Sequence, residues 1–299
     1  MDEQREEATG ALVRSCVLVV NPRAGAGRAE LHQHDVEQAL HSTGWPARTV
    51  VARAPEHATE IARAAEPHEL LVSLGGDGML SLLAAGAVES GAALAPLPAG
   101  RGNDFVRALG VSGTPAEVAA ALPRARERRI DVGLVDGRPY LGVLTVGYDS
   151  LANANANALA HVGGSLVYVL GGIQALGASR RHPVEITVDD QAAPLEVWNV
   201  LVANSGRYGG GLRACPTSSM EDGLLEVVSC TARSRAGLVR YLVAMLRGRQ
   251  MGRADLWHRP ARRVRVTGPA TLPVFADGDH VGTLPVTVEI LPQALRVLA

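Results

Sequence analysis

The chain has 299 residues, of which 47% are hydrophobic and 20% are charged, and its formal net charge is −1. The length fits one large domain or two smaller ones, and the apolar fraction excludes a mainly disordered chain. Balanced charge and only 3% aromatic residues leave little for phosphate neutralisation or base stacking, so no nucleic-acid partner is expected.

All 29 basic residues are arginine, and lysine is absent. This excludes enzymes that need a lysine amine for a Schiff base. It also excludes P-loop nucleotidases, whose phosphate loop ends in Lys-Ser/Thr. Any phosphate site must therefore use backbone N–H groups, arginine and metal ions.

The three cysteines, Cys16, Cys215 and Cys230, are widely spaced and form no CxxC pair. This pattern does not favour a disulfide framework or a thiolate zinc site, and it indicates a reducing compartment. The segment MDEQREEATGA at the N-terminus is acidic and polar, unlike a signal peptide. A cytoplasmic location is expected.

The first 130 residues alternate short apolar runs with segments of helical periodicity. Strands are predicted over 16–20, 49–52, 70–74 and 92–97. Helices are predicted over 28–41, 56–65, 79–88, 104–109 and 115–122. Apolar strands separated by helices indicate a doubly wound parallel sheet that is covered on both faces.

From about Ile130 the pattern becomes that of an antiparallel β-sandwich or barrel with a few inserted helices. Asp136-Gly137 and Asp189-Asp190 separate strand-like runs, as turns of β-hairpins do. Further strands are predicted over 224–230, 264–267, 274–276 and 286–291, and a last one over 294–298 is expected to return to the first domain. We therefore predict an α/β domain over 12–131 plus about 290–299, and a β-sandwich domain over 132–289.

Residues 151–179 contain no Asp, Glu or Arg and include a 17-residue apolar segment, 162–178, with five glycines. This segment is at the short end for a membrane span. A buried helix of the second domain is the favoured interpretation. The same helix could also line an apolar pocket for a lipid tail.

Three glycine-rich loops follow predicted strands of the first domain, with the sequences NPRAGAGR at 21–28, GGDG at 75–78 and GRGND at 100–104. Ligands of open α/β sheets bind beyond the carboxyl ends of the strands, so the loops would share one edge. Glycine lets phosphate oxygens approach the backbone, and a helix N-terminus attracts anions. Asp77 suits a Mg²⁺ ligand or a proton acceptor there, or a helix N-cap.

Together with four later segments, these loops resemble the diacylglycerol kinase catalytic domain family, which includes bacterial lipid kinases and sphingosine kinases. The later segments are Gly147-Tyr148-Asp149, the run NSGRYGGG at 204–211, Pro216 followed by Asp222-Gly223-Leu224, and Asp277-Gly278-Asp279. The resemblance covers nearly the whole chain from about residue 14.

The resemblance implies ATP-dependent phosphorylation of a lipid hydroxyl, with the active site in the cleft between an α/β domain and a β-sandwich. Asp77 would serve the metal and the phosphates. Asp279, where bacterial relatives usually carry glutamate, would be the general base. The implied nucleotide contacts are Asn21, Pro22, Arg23, Ala24, Gly25, Gly75, Gly76, Asp77, Gly78, Met79, Arg101 and Asn103. A structural Mg²⁺ site is implied at Ser219, Asp222 and Leu224.

Diacylglycerol, giving phosphatidic acid, is the first candidate acceptor, while ceramide, a sphingoid base or a specialised lipid stays open. The enzyme would touch the membrane peripherally, and nothing in the sequence decides whether it is a homo-oligomer. Met79, Ser81 and Arg101 replace threonine, asparagine and threonine of the family motifs, and Ala52 stands where a threonine is common. Two alternatives follow: an NAD kinase-like enzyme, and a catalytically inactive lipid-binding protein on a kinase fold.

Overall fold

The computed structural model describes residues 15–22, 24–159 and 166–299, which divide into two compact units. The first comprises the described residues up to Gly100, Leu109–Ile130 and Ala294–Ala299. The second comprises Arg101–Ala108 and Asp131–Gln293.

Eighteen strands and eight α-helices occur in these described residues. The strands are β1 (Ser15–Val20), β2 (Ala47–Val51), β3 (Glu69–Gly75), β4 (Ala93–Pro98), β5 (Glu127–Val135), β6 (Arg138–Tyr140), β7 (Val143–Gly147), β8 (His182–Val188), β9 (Gln191–Val197), β10 (Asn199–Ala203), β11 (Arg207–Tyr208), β12 (Leu212–Arg213), β13 (Leu225–Cys230), β14 (Leu256–Ala261), β15 (Arg263–Thr267), β16 (Pro273–Ala276), β17 (Asp279–Thr283) and β18 (Val286–Leu298). The helices are α1 (Arg28–Ser42), α2 (Pro55–Arg63), α3 (Asp77–Ser90), α4 (Asp104–Ala108), α5 (Pro115–Ala121), α6 (Tyr148–Ala158), α7 (Leu166–Ala178) and α8 (Arg235–Leu246).

The first unit is a parallel α/β sheet with the strand order β2-β1-β3-β4, and the end of β18 joins it as Val297 pairs in parallel with Leu94. Strands β1, β3 and β4 are apolar and buried, whereas the edge strand β2 is largely exposed. Helix α1 packs with α5, and α2 packs with α3. The doubly wound arrangement predicted from the alternation of strands and helices is confirmed.

Arg296 fastens the C-terminal strand within this first unit. Its guanidinium makes two hydrogen bonds to the carboxylate of Glu127, at 2.8 and 2.9 Å. It also donates to the carbonyl oxygens of Pro67, at 2.7 Å, and Gly91, at 3.0 Å. One side chain thus ties together three chain segments that are far apart in sequence.

The second unit is a β-sandwich, as predicted. One sheet is antiparallel with the order β14-β13-β10-β7-β16-β17, and the other contains β18-β15-β8-β9 with the β5–β6 hairpin. Aliphatic side chains from both sheets form one core, among them Val146, Val202, Ile186 and Val264.

The two predicted hairpin turns of this unit are confirmed. In each, both turn residues have left-handed backbone angles: φ is 46° at Asp136 and 81° at Gly137, and 42° at Asp189 and 73° at Asp190. Such angles define the two-residue turn whose twist matches that of the flanking strands.

Helices α6 and α7 pack closely because Gly171 has no side chain. A Cβ atom there would lie 2.6 Å from the carbonyl oxygen of Ala152. Helix α7 is not the buried helix that its apolar sequence predicted, since Val169 is 56% and Ile173 is 64% exposed. No helix in the described residues is both long and apolar enough to cross a bilayer.

Candidate active site

The glycine-rich loops of the first unit lie together at one edge of the parallel sheet. The N–H group of Asn21 donates to the carbonyl oxygen of Leu74, at 3.1 Å, which joins the ends of β1 and β3. A Cβ atom on Gly76 would lie 3.6 Å from the Cα atom of Gly100, so the loops after β3 and β4 also touch. The expected grouping of these loops is confirmed as far as Gly100.

The first loop turns the chain from β1 into α1 through backbone angles that suit glycine. Gly25 has φ 61° within a short 3-10 turn, and Gly27, which caps α1, has φ 88°. Asn21 and Pro22 are half-buried, and Ala24 is buried. Arg23 lies outside the described residues.

The second loop places Asp77, half-buried, at the first position of α3. The N–H groups of a first helical turn lack intrahelical acceptors, and the helix dipole adds positive potential there. Met79 is only 5% exposed, and its terminal methyl group occupies the space where a Gly75 side chain would be. Its side chain therefore packs on the loop backbone, and Met79 can offer a ligand its N–H group.

Arg101 and Asn103 belong to the short segment that lies with the second unit, and both are half-buried. Asn103 has φ 51°, and its carbonyl oxygen accepts a hydrogen bond from Arg107 in α4. Beside it, the buried carboxylate of Asp104 accepts the N–H group of Gly210, at 2.7 Å. Burial raises the pKa of Asp104, and the hydrogen bond from Gly210 opposes that rise. The contact fixes the glycine-rich β11–β12 hairpin against α4.

The two aspartates of the Asp277-Gly278-Asp279 turn have different surroundings. The two carboxylate oxygens of Asp277 accept the N–H groups of Leu141, at 2.8 Å, and Gly142, at 2.7 Å. The carbonyl oxygen of Gly278 accepts the Asn157 amide, at 3.0 Å. These bonds anchor the turn from two sides.

The carboxylate of Asp279 has no hydrogen-bond partner among the residues that the structure describes, and the side chain is exposed. Surrounding protein atoms nevertheless raise its pKa, and the negative charge of Asp277 adds to the effect. A carboxylate with a raised pKa and no partner is a better proton acceptor than an ordinary surface aspartate.

The loop that carries Ser219, Asp222 and Leu224 is exposed and turns on itself. One oxygen of Asp222 accepts the N–H group of Leu224, at 3.0 Å, and the Ser219 hydroxyl accepts the N–H group of Glu221, at 3.2 Å. The structure thus brings the three predicted metal ligands into one loop.

Asp131, which the sequence analysis passed over as part of a strand, holds this loop in place. It is fully buried, and its two oxygens accept the N–H groups of Gly223 and Gln293, each at 2.7 Å. A carboxylate inside an apolar strand was the only indication of this role in the sequence.

An apolar cavity of about 340 Å³ lies among α6, α7, α8 and the β11–β12 hairpin of the second unit. That volume is within the range of small-molecule sites, about 300–1,000 Å³. Its lining residues include Ala152, Val169, Ile173, Leu176, Leu212, Leu242 and Leu246. The described part of the uncharged 151–179 stretch supplies one wall, as the sequence indicated.

Among the residues that line the cavity, the one charged side chain is the buried carboxylate of Asp149. One of its oxygens accepts the Tyr208 hydroxyl and the other the Asn199 amide, both at 2.5 Å. Burial raises the pKa of Asp149, and these two hydrogen bonds oppose the rise. Asp149 belongs to a predicted motif, but its role could not be predicted from the sequence, because its partners lie 50 and 59 residues away.

Comparisons with known proteins agree with this architecture. Residues 15–135 match the family model of the diacylglycerol kinase catalytic domain. Residues 142–299 match the family model of the YegS C-terminal NAD kinase beta sandwich-like domain. A crystal structure of a diacylglycerol kinase from Bacillus anthracis str. Sterne superposes with a TM-score of 0.73 at 20% identity, covering 95% of this chain and 96% of that one. The fold is therefore shared.

Curated relatives extend over most of the chain. "Diacylglycerol kinase" of Mycobacterium tuberculosis H37Rv is 27% identical over 289 residues, covering 94% of this chain and 93% of the relative. "Diacylglycerol kinase" of Bacillus subtilis 168 is 27% identical, covering 90% of each chain. "Probable lipid kinase YegS-like" of Pseudomonas aeruginosa UCBPP-PA14 is 32% identical, covering 76% and 75%. With both domains matched in order and this degree of identity, the chain belongs to the diacylglycerol kinase and YegS-like family of lipid kinases.

Proposed function

We propose that this lipid kinase transfers the γ-phosphoryl group of ATP to a hydroxyl group of a lipid, with diacylglycerol as the acceptor. The observation that carries the proposal is the apolar cavity of about 340 Å³ with a buried carboxylate in its wall. An apolar lining favours acyl chains over a sugar or a nucleoside. The names of the M. tuberculosis and B. subtilis relatives favour diacylglycerol among lipids.

Asp149 is assigned to the polar end of the acceptor. Its two oxygens accept Tyr208 and Asn199, so it fixes the polar end of the cavity at which the lipid head would lie, while the proton of the reacting hydroxyl is left to Asp279. The apolar wall would hold the tail while this group orients the head. Orientation of the hydroxyl is a large part of what phosphoryl transfer requires from a protein.

The glycine-rich loops of the first unit are assigned to the nucleotide. Phosphate oxygens can approach the backbone at Gly25 and Gly76, whereas Met79 covers Gly75, and the N-terminus of α3 supplies positive potential. Because the chain has no lysine, backbone N–H groups, arginine and metal ions must neutralise the phosphates. Arg101 and Asn103 stay predicted contacts, as does Arg23.

The oxygen donors of the chain fit Mg²⁺, the metal that the family implies. Asp77 provides a carboxylate in the phosphate loop, and Asp222 provides an exposed carboxylate with one oxygen tied to Leu224. Carboxylate, hydroxyl and carbonyl oxygens are the ligands that Mg²⁺ prefers. Bound with the nucleotide, Mg²⁺ neutralises charge on the phosphates. Asp222, Ser219 and Leu224 would hold a second ion with a structural role.

Asp279 is assigned as the general base that takes the proton of the lipid hydroxyl. It has a raised pKa and no competing hydrogen-bond partner among the described residues. The turn that carries it is fixed by Asp277 and by Asn157. Loss of a general base lowers the rate of transfer about 10²- to 10⁴-fold.

A membrane surface is the proposed source of the acceptor. Six large apolar side chains that are more than a third exposed lie on α7 and α8, namely Val169, Leu170, Ile173, Val239, Val243 and Leu246. Five of them also line the cavity. We expect Ile173→Asp to weaken sedimentation with diacylglycerol-containing vesicles, whereas Leu31→Asp, at a 77% exposed position on α1, should not. Equal binding of both variants would contradict this docking face.

The decisive experiment measures transfer of label from γ-labelled ATP to diacylglycerol, ceramide, sphingosine and NAD in parallel, with Mg²⁺. Asp77→Asn and Asp279→Asn should each lose at least about 100-fold of the lipid activity. Their controls, Asp35→Asn on α1 and Asp190→Asn in a hairpin turn, change exposed aspartates elsewhere and should stay active. Labelling of NAD instead would establish the NAD kinase alternative. Lipid binding without any transfer would establish the inactive alternative.

A further inference from the structure

Three side chains of different ligand types meet on one face of the six-stranded sheet. Glu226 lies on β13 and His258 on β14, and Val228 pairs directly with His258. Glu226 is two residues before Val228, so its side chain shares the face of His258. Cys215, in the segment after β12, lies over this face. Its sulfur, a His258 ring nitrogen and a Glu226 carboxylate oxygen all lie within 4.8 Å of one another.

Burial raises the pKa of Cys215, and hydrogen bonds from Thr217 and Ser218 oppose that rise. The Cys215 sulfur is within 3.2 Å of the Thr217 hydroxyl oxygen, and it accepts hydrogen bonds from the N–H groups of Thr217 and Ser218. Donors around a metal-bound sulfur orient the ligand and stabilise its charge. Glu226 and His258 hydrogen-bond to each other and keep 12% and 29% of their side-chain surface exposed. A small ion can therefore reach these two ligands from solvent, and the sulfur of Cys215 lies within 4.8 Å of both.

A thiol beside a His–Glu pair is also the arrangement of a nucleophile with its base. Cys215, however, is only 2% exposed, which leaves no space for an acyl or phosphoryl substrate at its sulfur. An ion needs far less room. Two ligand atoms on one tetrahedral zinc lie about 3.5 Å apart. The three ligand atoms here lie within 4.8 Å of one another, so small rotations of the Glu226 and His258 side chains would bring them to bonding distance of one ion.

We propose that Cys215, Glu226 and His258 form a zinc site with three protein ligands and an open fourth position for water. One thiolate, one imidazole and one carboxylate suit Zn²⁺ better than Mg²⁺ or Ca²⁺, which prefer oxygen alone. The widely spaced cysteines argued against a zinc site made of thiolates, and this one needs a single cysteine. It is separate from every residue assigned to phosphoryl transfer.

Zinc at this position would brace the wall of the apolar cavity. The N–H group of Cys215 donates to the carbonyl oxygen of Gly206, at 3.4 Å, just before the β11–β12 hairpin. That hairpin carries Tyr208 and Leu212, which line the cavity. A metal that joins Cys215 to β13 and β14 would therefore hold the hairpin against the sheet.

The test is zinc titration of the full chain, first freed of metal, in competition with a chromophoric chelator. We expect one tightly bound zinc per chain, with affinity at least about 100-fold weaker in Cys215→Ser and His258→Gln. Bound Co²⁺ should show a sulfur-to-metal charge-transfer band that Cys215→Ser abolishes. His34→Gln, on the exposed face of α1, is the matched control for surface histidines and should change neither reading.

Folding of each metal-free variant is checked by circular dichroism. If Cys215→Ser does not fold, His258→Gln and Glu226→Gln test the same site at partly exposed positions. No stoichiometric zinc, or zinc binding that these ligand variants leave unchanged, would overturn the proposal. Equal loss of zinc in His34→Gln would do the same.

Discussion

Removal of the Tyr208 hydroxyl should destabilise the second unit in a way that depends on pH. This hydroxyl donates to the Asp149 carboxylate, and a hydrogen bond to a charged acceptor is about twice as strong as a neutral one. Such bonds contribute about 1.5–3 kcal/mol. Asp149 is only 2% exposed, so water cannot easily replace the lost donor. We therefore expect Tyr208→Phe to lower the free energy of unfolding by about 2 kcal/mol at pH 8.

The sign of the pH dependence follows from the pKa of Asp149. Burial raises this pKa in the folded state, so ionisation of Asp149 costs stability as the pH rises through the folded value. The Tyr208 hydrogen bond offsets part of that cost, and its loss raises the pKa further. At a pH low enough to protonate Asp149, the bond is neutral and contributes only about 1 kcal/mol. The effect of Tyr208→Phe should thus shrink by about half between pH 8 and the acid side.

The assay is urea unfolding followed by tryptophan fluorescence in a Trp45→Phe background. Only Trp198 and Trp257 then remain, and both lie in the second unit. Tyr140→Phe is the matched control, because the Tyr140 hydroxyl is buried and donates to the neutral carbonyl oxygen of Val202, at 3.2 Å. It should cost about 1 kcal/mol at every pH. If Tyr208→Phe and Tyr140→Phe lose the same unfolding free energy at every pH, Asp149 is not ionised in the folded protein.

Three further predictions concern other parts of the chain. Gly171→Ala should lower the free energy of unfolding of the second unit by about 1–3 kcal/mol and raise the KM for lipid, because the added Cβ atom would press on Ala152 in α6. Gly177→Ala is the control, since a Cβ atom there meets nothing within 4 Å, and it should have neither effect. Arg296→Gln should cost the first unit about 2 kcal/mol by Trp45 fluorescence. Because Arg296 lowers the pKa of Glu127, the loss of unfolding free energy should be greatest at neutral pH and should shrink as the pH falls through that lowered pKa. A loss of unfolding free energy that does not depend on pH would contradict the ion pair. Transfer to lipid should decline on the acid side with a midpoint above the ordinary aspartate value of 3.8, since a protonated Asp279 cannot accept a proton, and Asp279→Asn should lack this limb.

Most strands, helices and turns could be predicted, because each depends on residues that are close together in the sequence. Strands β1, β3 and β4 of the parallel sheet are mainly apolar, and the predicted bounds differ from the observed ones by only a few residues. Strand β3, for example, was predicted over 70–74 and extends over Glu69–Gly75. The turns at Asp136 and Asp189 followed from residues that tolerate left-handed angles. Strands β14 and β17 and helix α8 are polar, short or mixed in pattern, and no local pattern predicted them separately.

Burial and long-range partners were harder to predict, since they depend on what the tertiary fold brings together. Helix α7 is apolar on all sides, and hydropathy therefore predicted a buried helix. The structure instead leaves Val169 and Ile173 exposed beside the cavity. The Asp149–Tyr208 contact joins residues 59 positions apart, and the contact of Glu226 with His258 joins residues 32 positions apart. No spacing rule within one segment could have found either pair.

The aspartates of this chain show why a motif alone does not assign a role. Asp131 and Asp277 each use both carboxylate oxygens to accept backbone N–H groups from distant segments, so their loss should first cost stability. Asp279, two residues after Asp277 in the same motif, has no such bond among the described residues. Loss of the Asp279 carboxylate should lower the rate of transfer to lipid and leave the free energy of unfolding unchanged. Comparing unfolding and turnover for Asp277→Asn and Asp279→Asn would therefore separate a residue that shapes the site from one that acts in it.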